Sequence, residues 1–203
     1  MFVTFEGPEG GGKSTALRSV ARALQEKGHP VTTTREPGAG PLGQQIRELL
    51  LHGQDLTPET ELFLFLADRA NHVATIIKPA LATNHIVLCD RFTDSTLVYQ
   101  GIARGLDQDL INEANHFATK GLVPDLTLLF DLPPEIGLSR LRDPDRIDKM
   151  PLKFHQQVRN GFLELAKTNP RWVILDATKT PQEIAQDALQ AIDKRLSKRP
   201  NPS

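Results

Sequence analysis

The sequence predicts an α/β protein: a five-stranded parallel sheet flanked by helices. Two observations carry this expectation. Short β-branched or apolar runs alternate with longer helical patterns from one end of the chain to the other, as βα units around a parallel sheet require. A glycine-rich stretch, Gly7 to Ser14, lies between the first strand pattern and the first amphipathic helix, the place where such folds hold anions. At 203 residues the chain has room for one such domain, spanning 1–203, and falls short of two ordinary ones.

The elements follow in order. Strands are expected at 2–6, 31–34, 86–90, 126–131 and 172–176. Helices are expected at 14–27, 41–51, 58–82, 95–119 with breaks near Gly101 and Gly105, 133–141, 151–167 and 181–196. Two helix starts are well signalled. Thr57-Pro58 and Thr180-Pro181 each set an N-cap hydroxyl before a proline at the first helical position, and Glu183 completes a capping box. The stretch 142–150 is charged, broken by Pro144 and poor in apolar residues, so it is expected to be a mobile surface loop. Residues 198–203, with two prolines, are expected to fray.

Composition narrows the function classes. Hydrophobic residues at 39% and charged residues at 24% make a globular mixture able to bury a core. Lys+Arg at 24 against Asp+Glu at 25 leaves a net charge of -1, so no nucleic-acid partner is expected and any bound anion must be met locally. The one cysteine, Cys89, has no partner for a disulfide, and no zinc-type Cys/His spacing is present. No apolar run approaches a membrane span and no basic leader precedes the first strand. The expectation is a cytoplasmic protein without membrane contact.

The chemistry is concentrated in Gly7-Pro8-Glu9-Gly10-Gly11-Gly12-Lys13-Ser14, a G-x-x-x-x-G-K-S pattern between strand and helix. Glycines let successive N–H groups curl around a phosphate chain; Lys13 is placed to reach the β- and γ-phosphates and Ser14 to meet Mg²⁺. A guanine-reading Asn-Lys-x-Asp and a post-strand Asp-x-x-Gly are missing, which argues against a GTPase switch. Instead the third strand ends in Asp90-Arg91-Phe92. A carboxylate there lies at the ligand-binding end of the sheet and can hold the water shell of Mg²⁺, and Arg91 offers a fork for a second phosphate.

Taken with Thr15, Thr34-Arg35-Glu36-Pro37-Gly38, Phe65-Leu66-Ala67-Asp68-Arg69 and Tyr99-Gln100-Gly101, in this order and spacing, these motifs resemble the thymidylate (dTMP) kinases. The resemblance runs from residue 2 to about 180. It implies a P-loop fold of the nucleoside monophosphate kinase type with a short lid at about 140–150, a homodimer, and phosphoryl transfer from ATP to the 5′-phosphate of dTMP with Mg²⁺. By this resemblance Gly7, Pro8, Glu9, Gly10, Gly11, Gly12, Lys13, Ser14 and Thr15 hold ATP, and Arg140 packs on adenine. Ser14 and Asp90 serve the metal. Phe65 stacks on thymine, Arg69 reads its edge, and Thr96 and Gln100 lie near the base. Glu9 faces the sugar 3′-hydroxyl and Tyr99 crowds a 2′-hydroxyl. Arg91 bridges acceptor and γ-phosphate, with Arg35, Glu36 and Pro37 on the acceptor side. Glu9-Gly10 carries no arginine, so the chain resembles the branch whose catalytic arginine comes from the lid, and Arg142 and Arg146 are its candidates. The lid departs from the family pattern by being a couple of residues shorter, with Asp148 where glutamate is commoner.

Two rival readings remain at this level. A deoxynucleoside kinase, or a kinase of another monophosphate, uses the same loop; the former phosphorylates a hydroxyl and needs a base, for which Glu36 is available. A catalytically silent nucleotide-binding protein is the other, although nothing in the loop is damaged. None of the six histidines falls in a recognised motif.

Overall fold

The computed structural model describes residues 1–198. Strands β1 (Phe2–Glu6), β2 (Val31–Arg35), β3 (Ile86–Asp90), β4 (Leu126–Asp131) and β5 (Trp172–Asp176) form one parallel sheet in the order β2-β3-β1-β4-β5. β1 is central and buried along its whole length, which is why it carries apolar residues to both faces, Phe2 on one and Val3 and Phe5 on the other. β2 runs one residue beyond expectation because Arg35 stays in register with Asp90 of β3. Of the expected tail, 199–203 lie outside the described residues.

The helices are α1 (Lys13–Glu26), α2 (Gly40–His52), α3 (Pro58–His72), α4 (Lys78–Ala82), α5 (Thr93–Thr96), α6 (Gln108–Thr119), α7 (Pro134–Ser139), α8 (Leu152–Thr168) and α9 (Pro181–Leu196). α1 and α9 pack together over one core, where Val3, Phe5, Leu128 and Phe130 meet Leu17, Val20, Leu24 and Ile184. α8 covers β4 and β5 over a second core containing Leu129, Val158, Phe162 and Trp172. Strand alternation produces this division: along β4, Leu128 and Phe130 enter the first core and Leu129 the second. Full burial of each such side chain is worth roughly 1.5–3 kcal/mol. The signalled caps are present, with Thr60 N donating to Thr57 Oγ1 and both halves of the box formed between Thr180 and Glu183.

Two long helices differ from the simple expectation. The one over 58–82 is α3, a π-helical turn at Val73–Ile77, and α4, run together. The one over 95–119 is interrupted: α5 passes into a wider π-helical turn, Leu97–Ala103, then Gly105 takes φ 79° and Asp107 caps α6. π turns recur at functional sites because the extra residue re-aims the side chains that follow. Here the turn carries Tyr99 and Gln100.

The expectation for 142–150 needs correction. Arg142, Asp143 and Pro144 are exposed, but from Asp145 onward the chain is tied down. Asp145 Oδ1 accepts from the amides of Ile147 and Asp148, and Arg146 N donates to Leu51 O. Ile147 is buried in the second core. One apolar side chain and one buried carboxylate partner for Arg146, Glu61, suffice to fix a turn whose composition is otherwise that of a solvated loop.

Candidate active site

The carboxyl ends of β1 and β3 open onto two adjoining cavities. The larger, about 290 Å³, is bounded by the loop from Glu9 to Thr15 and by Arg35 and Asp90. The smaller, about 120 Å³, has an apolar wall of Leu51, Phe65, Phe92, Tyr99 and Ile147 set with Arg69, Thr96 and Gln100. Glu9, Glu36, Arg47 and Arg91 border both. Their shared wall is therefore two guanidinium groups and two carboxylates.

In the larger cavity Gly12 caps α1 at φ 79°, so the free N–H groups and positive dipole end of a 14-residue helix face the space. The loop lies so close to α7 that a Cβ on Gly10 would stand 2.0 Å from Gly137 O. Lys13 Nζ donates to Gly7 O at 3.0 Å and Pro8 O at 2.6 Å, which gives those two loop residues a part that the cavity lining does not show. Burial, aided by the charge of Arg91, brings Lys13 down to about 8 against the opposing pull of Glu9, Asp90 and Glu6. Ser14 Oγ donates to Asp90 Oδ2 at 2.5 Å. At the rim, Arg140 donates to Gly10 O and Ala177 O.

Arg91 is the centre of the shared wall. Its backbone lies at φ 67°, a left-handed conformation that costs a non-glycine residue about 1–3 kcal/mol and that surrounding contacts must hold. They do: its amide donates to Phe5 O, and its guanidinium donates to Gly7 O, Ser95 Oγ and Glu9 Oε2. Ser95 in turn donates to Glu6, whose carboxyl is pushed up to about 7 by burial and by Asp94. Glu9 accepts from Arg91 and Tyr99, both at 2.6 Å. Burial alone would raise Glu9, but the charges of Arg91 and Lys13 and the Tyr99 hydrogen bond outweigh it and bring the carboxyl to about 2.

The smaller cavity is built from one face of α3. Glu61, Phe65 and Arg69 recur every four residues and so project to the same side. Phe65 packs on the second core and lines the cavity at once. Arg69, only 1% exposed, donates to Glu36, Thr96, Asn115 and Phe92 O, which engages four of its five N–H groups and leaves one on Nη2. Glu36 is held by Arg69 and by His72, each at 2.8 Å. Pro37 borders the same space, and its carbonyl accepts from Arg47.

Not every residue singled out in the sequence joins this arrangement. Arg35 borders the larger cavity only. Arg142 is exposed with no hydrogen-bond partner among the described residues, and Arg146 is turned into the protein, donating to Leu50 O and to Glu61. Two residues that the sequence did not single out prove central. Arg47, on α2, reaches both cavities, and Glu61 is a buried hub for Gln100, Arg104 and Arg146. Helical periodicity from Phe65 and Arg69 back to Glu61 is the signal that would have found the second; nothing local marks the first.

The parallel sheet, the phosphate loop at the head of α1 and Asp90 beside it define a P-loop NTPase fold with a second, partly aromatic pocket joined to the phosphate cradle. Comparison with known proteins specifies which kind. A family model described as thymidylate kinase matches residues 5–188, and the chain belongs to that family. It is 49% identical over 197 residues to the thymidylate kinase of Synechococcus sp. (strain JA-3-3Ab), covering 97% of each chain. It is 50% identical over 210 residues to that of Nitratidesulfovibrio vulgaris (strain Miyazaki F), covering 97% of this chain and 98% of the relative. The crystal structure of thymidylate kinase from Ehrlichia chaffeensis superposes with a TM-score of 0.80 at 33% identity, over 95% of this chain and 98% of that one.

Proposed function

We propose that the chain transfers the γ-phosphoryl group of ATP to the 5′-phosphate of dTMP, giving ADP and dTDP, and that the larger cavity takes the donor and the smaller the acceptor. The observation that supports this is the shared wall: Arg91 and Arg47 border both cavities, and a phosphate group held in each would meet between them. A phosphate acceptor has a second pKa of about 6 and is largely ionised at neutral pH, so no general base is required. The chemical problem is repulsion between anions, met by positioning and by charge. Lys13 and the loop amides face the donor phosphates, and Arg91, with Arg35 and Arg47 beside it, faces the acceptor phosphate. Phe65 stacks on thymine, Arg69, Thr96 and Gln100 meet its edge, Glu9 receives the 3′-hydroxyl, and Tyr99 fills the space of a 2′-hydroxyl. The second reading, a deoxynucleoside kinase with Glu36 as base, is disfavoured because Glu36 is already engaged by Arg69 and His72.

The residues present fit Mg²⁺. Ser14 and Asp90 put a hydroxyl and a carboxylate side by side at the cradle, hard oxygen donors of the kind Mg²⁺ takes while keeping most of its waters. Ser14 and Asp90 would hold the ion at the cradle, where it would supply positive charge against that of the donor phosphates.

Residues 140–150 act as the lid of a single domain. Arg140 packs against adenine, and of the two lid arginines Arg142 supplies charge to the transferring group while Arg146 anchors the lid's far end. Closure brings Arg142 over the cradle and excludes water. The enzyme acts as a homodimer: Leu42 and Leu49 of α2, Phe63 of α3 and Leu110 and Phe117 of α6 are exposed on neighbouring helices, Phe63 by 68% and Phe117 by 86%. The buried free thiol of Cys89 and the use of ATP fit the cytoplasm.

A coupled ADP-release assay with ATP, Mg²⁺ and a panel of acceptors tests the reading. Rapid turnover of dTMP with little of thymidine or purine monophosphates is expected; preference for thymidine, or equal use of purines, overturns it.

A further inference from the structure

Glu61 is a charged side chain, 1% exposed, outside both cavities. Its carboxylate accepts from Gln100 Nε2 at 2.7 Å, Arg104 Nε and Nη2 at 3.3 and 3.1 Å, and Arg146 Nη2 at 2.5 Å. Nothing in the proposed reaction uses it. Taking a carboxylate out of water is costly unless its partners compensate, which directs attention to what those partners gain.

The reason lies with Gln100. A side-chain amide offers an oxygen at one end and an NH₂ at the other, and a neutral neighbour tolerates either orientation. A carboxylate does not: it has only acceptors, so the NH₂ must face Glu61. Gln100 borders the smaller cavity, and its carbonyl oxygen has no partner among the described residues. The end left for the cavity is therefore the acceptor. Arg104 and Arg146 fill the remaining sites on Glu61 and, against the effect of burial, hold its carboxyl below the usual range together with Gln100. The group stays ionised, and the orientation stays fixed.

We propose that Glu61 is a positioning residue for base selection: by locking the Gln100 amide with its oxygen toward the base, it makes the pocket a reader of the N3–H donor of a keto pyrimidine. Cytosine carries a lone pair at N3, which such an oxygen repels, so dCMP is rejected before any contact with the 5-methyl group matters. This inference rests on the reading of the smaller cavity as the dTMP site. It adds that the discriminating group is set from behind by a residue that never touches substrate, and that the same residue anchors the far end of the lid.

The test compares kcat/KM for dTMP and dCMP in Glu61→Gln and Gln100→Met. Changes in the donor site or lid fall on both acceptors alike, so the ratio isolates base reading, and a merely structural role for Glu61 leaves it unmoved. With Glu61→Gln the amide is free to turn over, and the dTMP preference is expected to shrink about tenfold or more, the scale of one lost hydrogen bond. If Gln100→Met collapses the ratio and Glu61→Gln leaves it unchanged, the inference is overturned while the pocket assignment stands. If Gln100→Met also leaves it unchanged, the pocket assignment fails and takes the inference with it. Because Glu61→Gln leaves Arg104 and Arg146 short of a counter-charge, a second measurement needs no change at that position. In the unliganded wild-type protein, the Gln100 side-chain amide protons, assigned by their loss in Gln100→Met, should exchange slowly and show contacts to Glu61 in nitrogen-edited NMR; fast exchange without such contacts overturns the proposal.

Discussion

The two cavities sit on the same loop ends yet are built differently. Around the smaller one nearly every polar group is held from behind: Arg69 by four partners, Tyr99 by Glu9, Gln100 by Glu61. Around the larger one Lys13 rests on loop carbonyls, Arg35 and Thr15 are exposed, and the arm carrying Arg142 stands free in solvent. An acceptor that must be told from its close relatives needs groups fixed before it arrives. A triphosphate is recognised by charge and by a helix end, which tolerate looser walls, and its site must still open to release ADP. On the proposed reading, the difference between the halves is the difference between selecting a base and neutralising a phosphate chain.

The largest effect is expected where the halves meet. Arg91→Ala removes the fork between the phosphates and should lower kcat by about 10²–10³, roughly 2.7–4 kcal/mol, in steady-state assays. Arg91→Lys should restore little, because an ammonium cannot make two directed contacts; full recovery with lysine would reduce Arg91 to a point charge.

Next in size is the 5-methyl group. The apolar wall of the smaller cavity, about 120 Å³, should favour dTMP over dUMP by roughly 10- to 200-fold in kcat/KM. Equal use of the two would show that the acceptor half is looser than its hydrogen bonds imply.

The proposed lid separates its two arginines. Arg142→Ala should lower kcat at least about tenfold, on the order of 1.4 kcal/mol, with ATP affinity little changed. Arg146→Ala should instead cost stability, about 1–3 kcal/mol or about 2–12 °C in Tm, because Glu61 loses one of its partners. The reverse assignment of effects would place Arg146 at the phosphates and Arg142 at the surface.

The smallest effect is a pH dependence on the donor side. Lys13, brought down to about 8, is cationic below that pH and neutral above it. Only the cation attracts phosphate, so kcat/KM for ATP should fall as pH rises past about 8, whereas kcat, measured with the phosphates in place to favour the cation, should stay level further up. Glu9, at about 2, stays ionised throughout and adds no step in this range.

The fold was largely legible from the sequence because β1 to β5 are short β-branched or apolar runs set between strong helix signals. The phosphate loop and the residues around Arg91 were legible because their chemistry is local: spacing along the chain is spacing in the site. What escaped was set by tertiary contact. Arg47 reaches the cavities only through the placing of α2, and Glu61 looks like an ordinary acid in the first turn of α3 until Gln100, Arg104 and Arg146 converge on it. The stretch 142–150 departs from expectation only from Asp145 onward and for the same reason, since Ile147 and a distant carboxylate hold down a segment whose own composition is that of a solvated loop.

Amide hydrogen exchange on the unliganded enzyme and on its complex with a non-hydrolysable ATP analogue tests the contrast between the halves most directly. The acceptor wall at 93–103 should be protected at least about a hundredfold more than 140–144 before any ligand is added, and the analogue should then slow exchange in 140–144 while changing 93–103 little. An acceptor wall that exchanges as fast as 140–144, or a segment 140–144 indifferent to the analogue, would contradict the account.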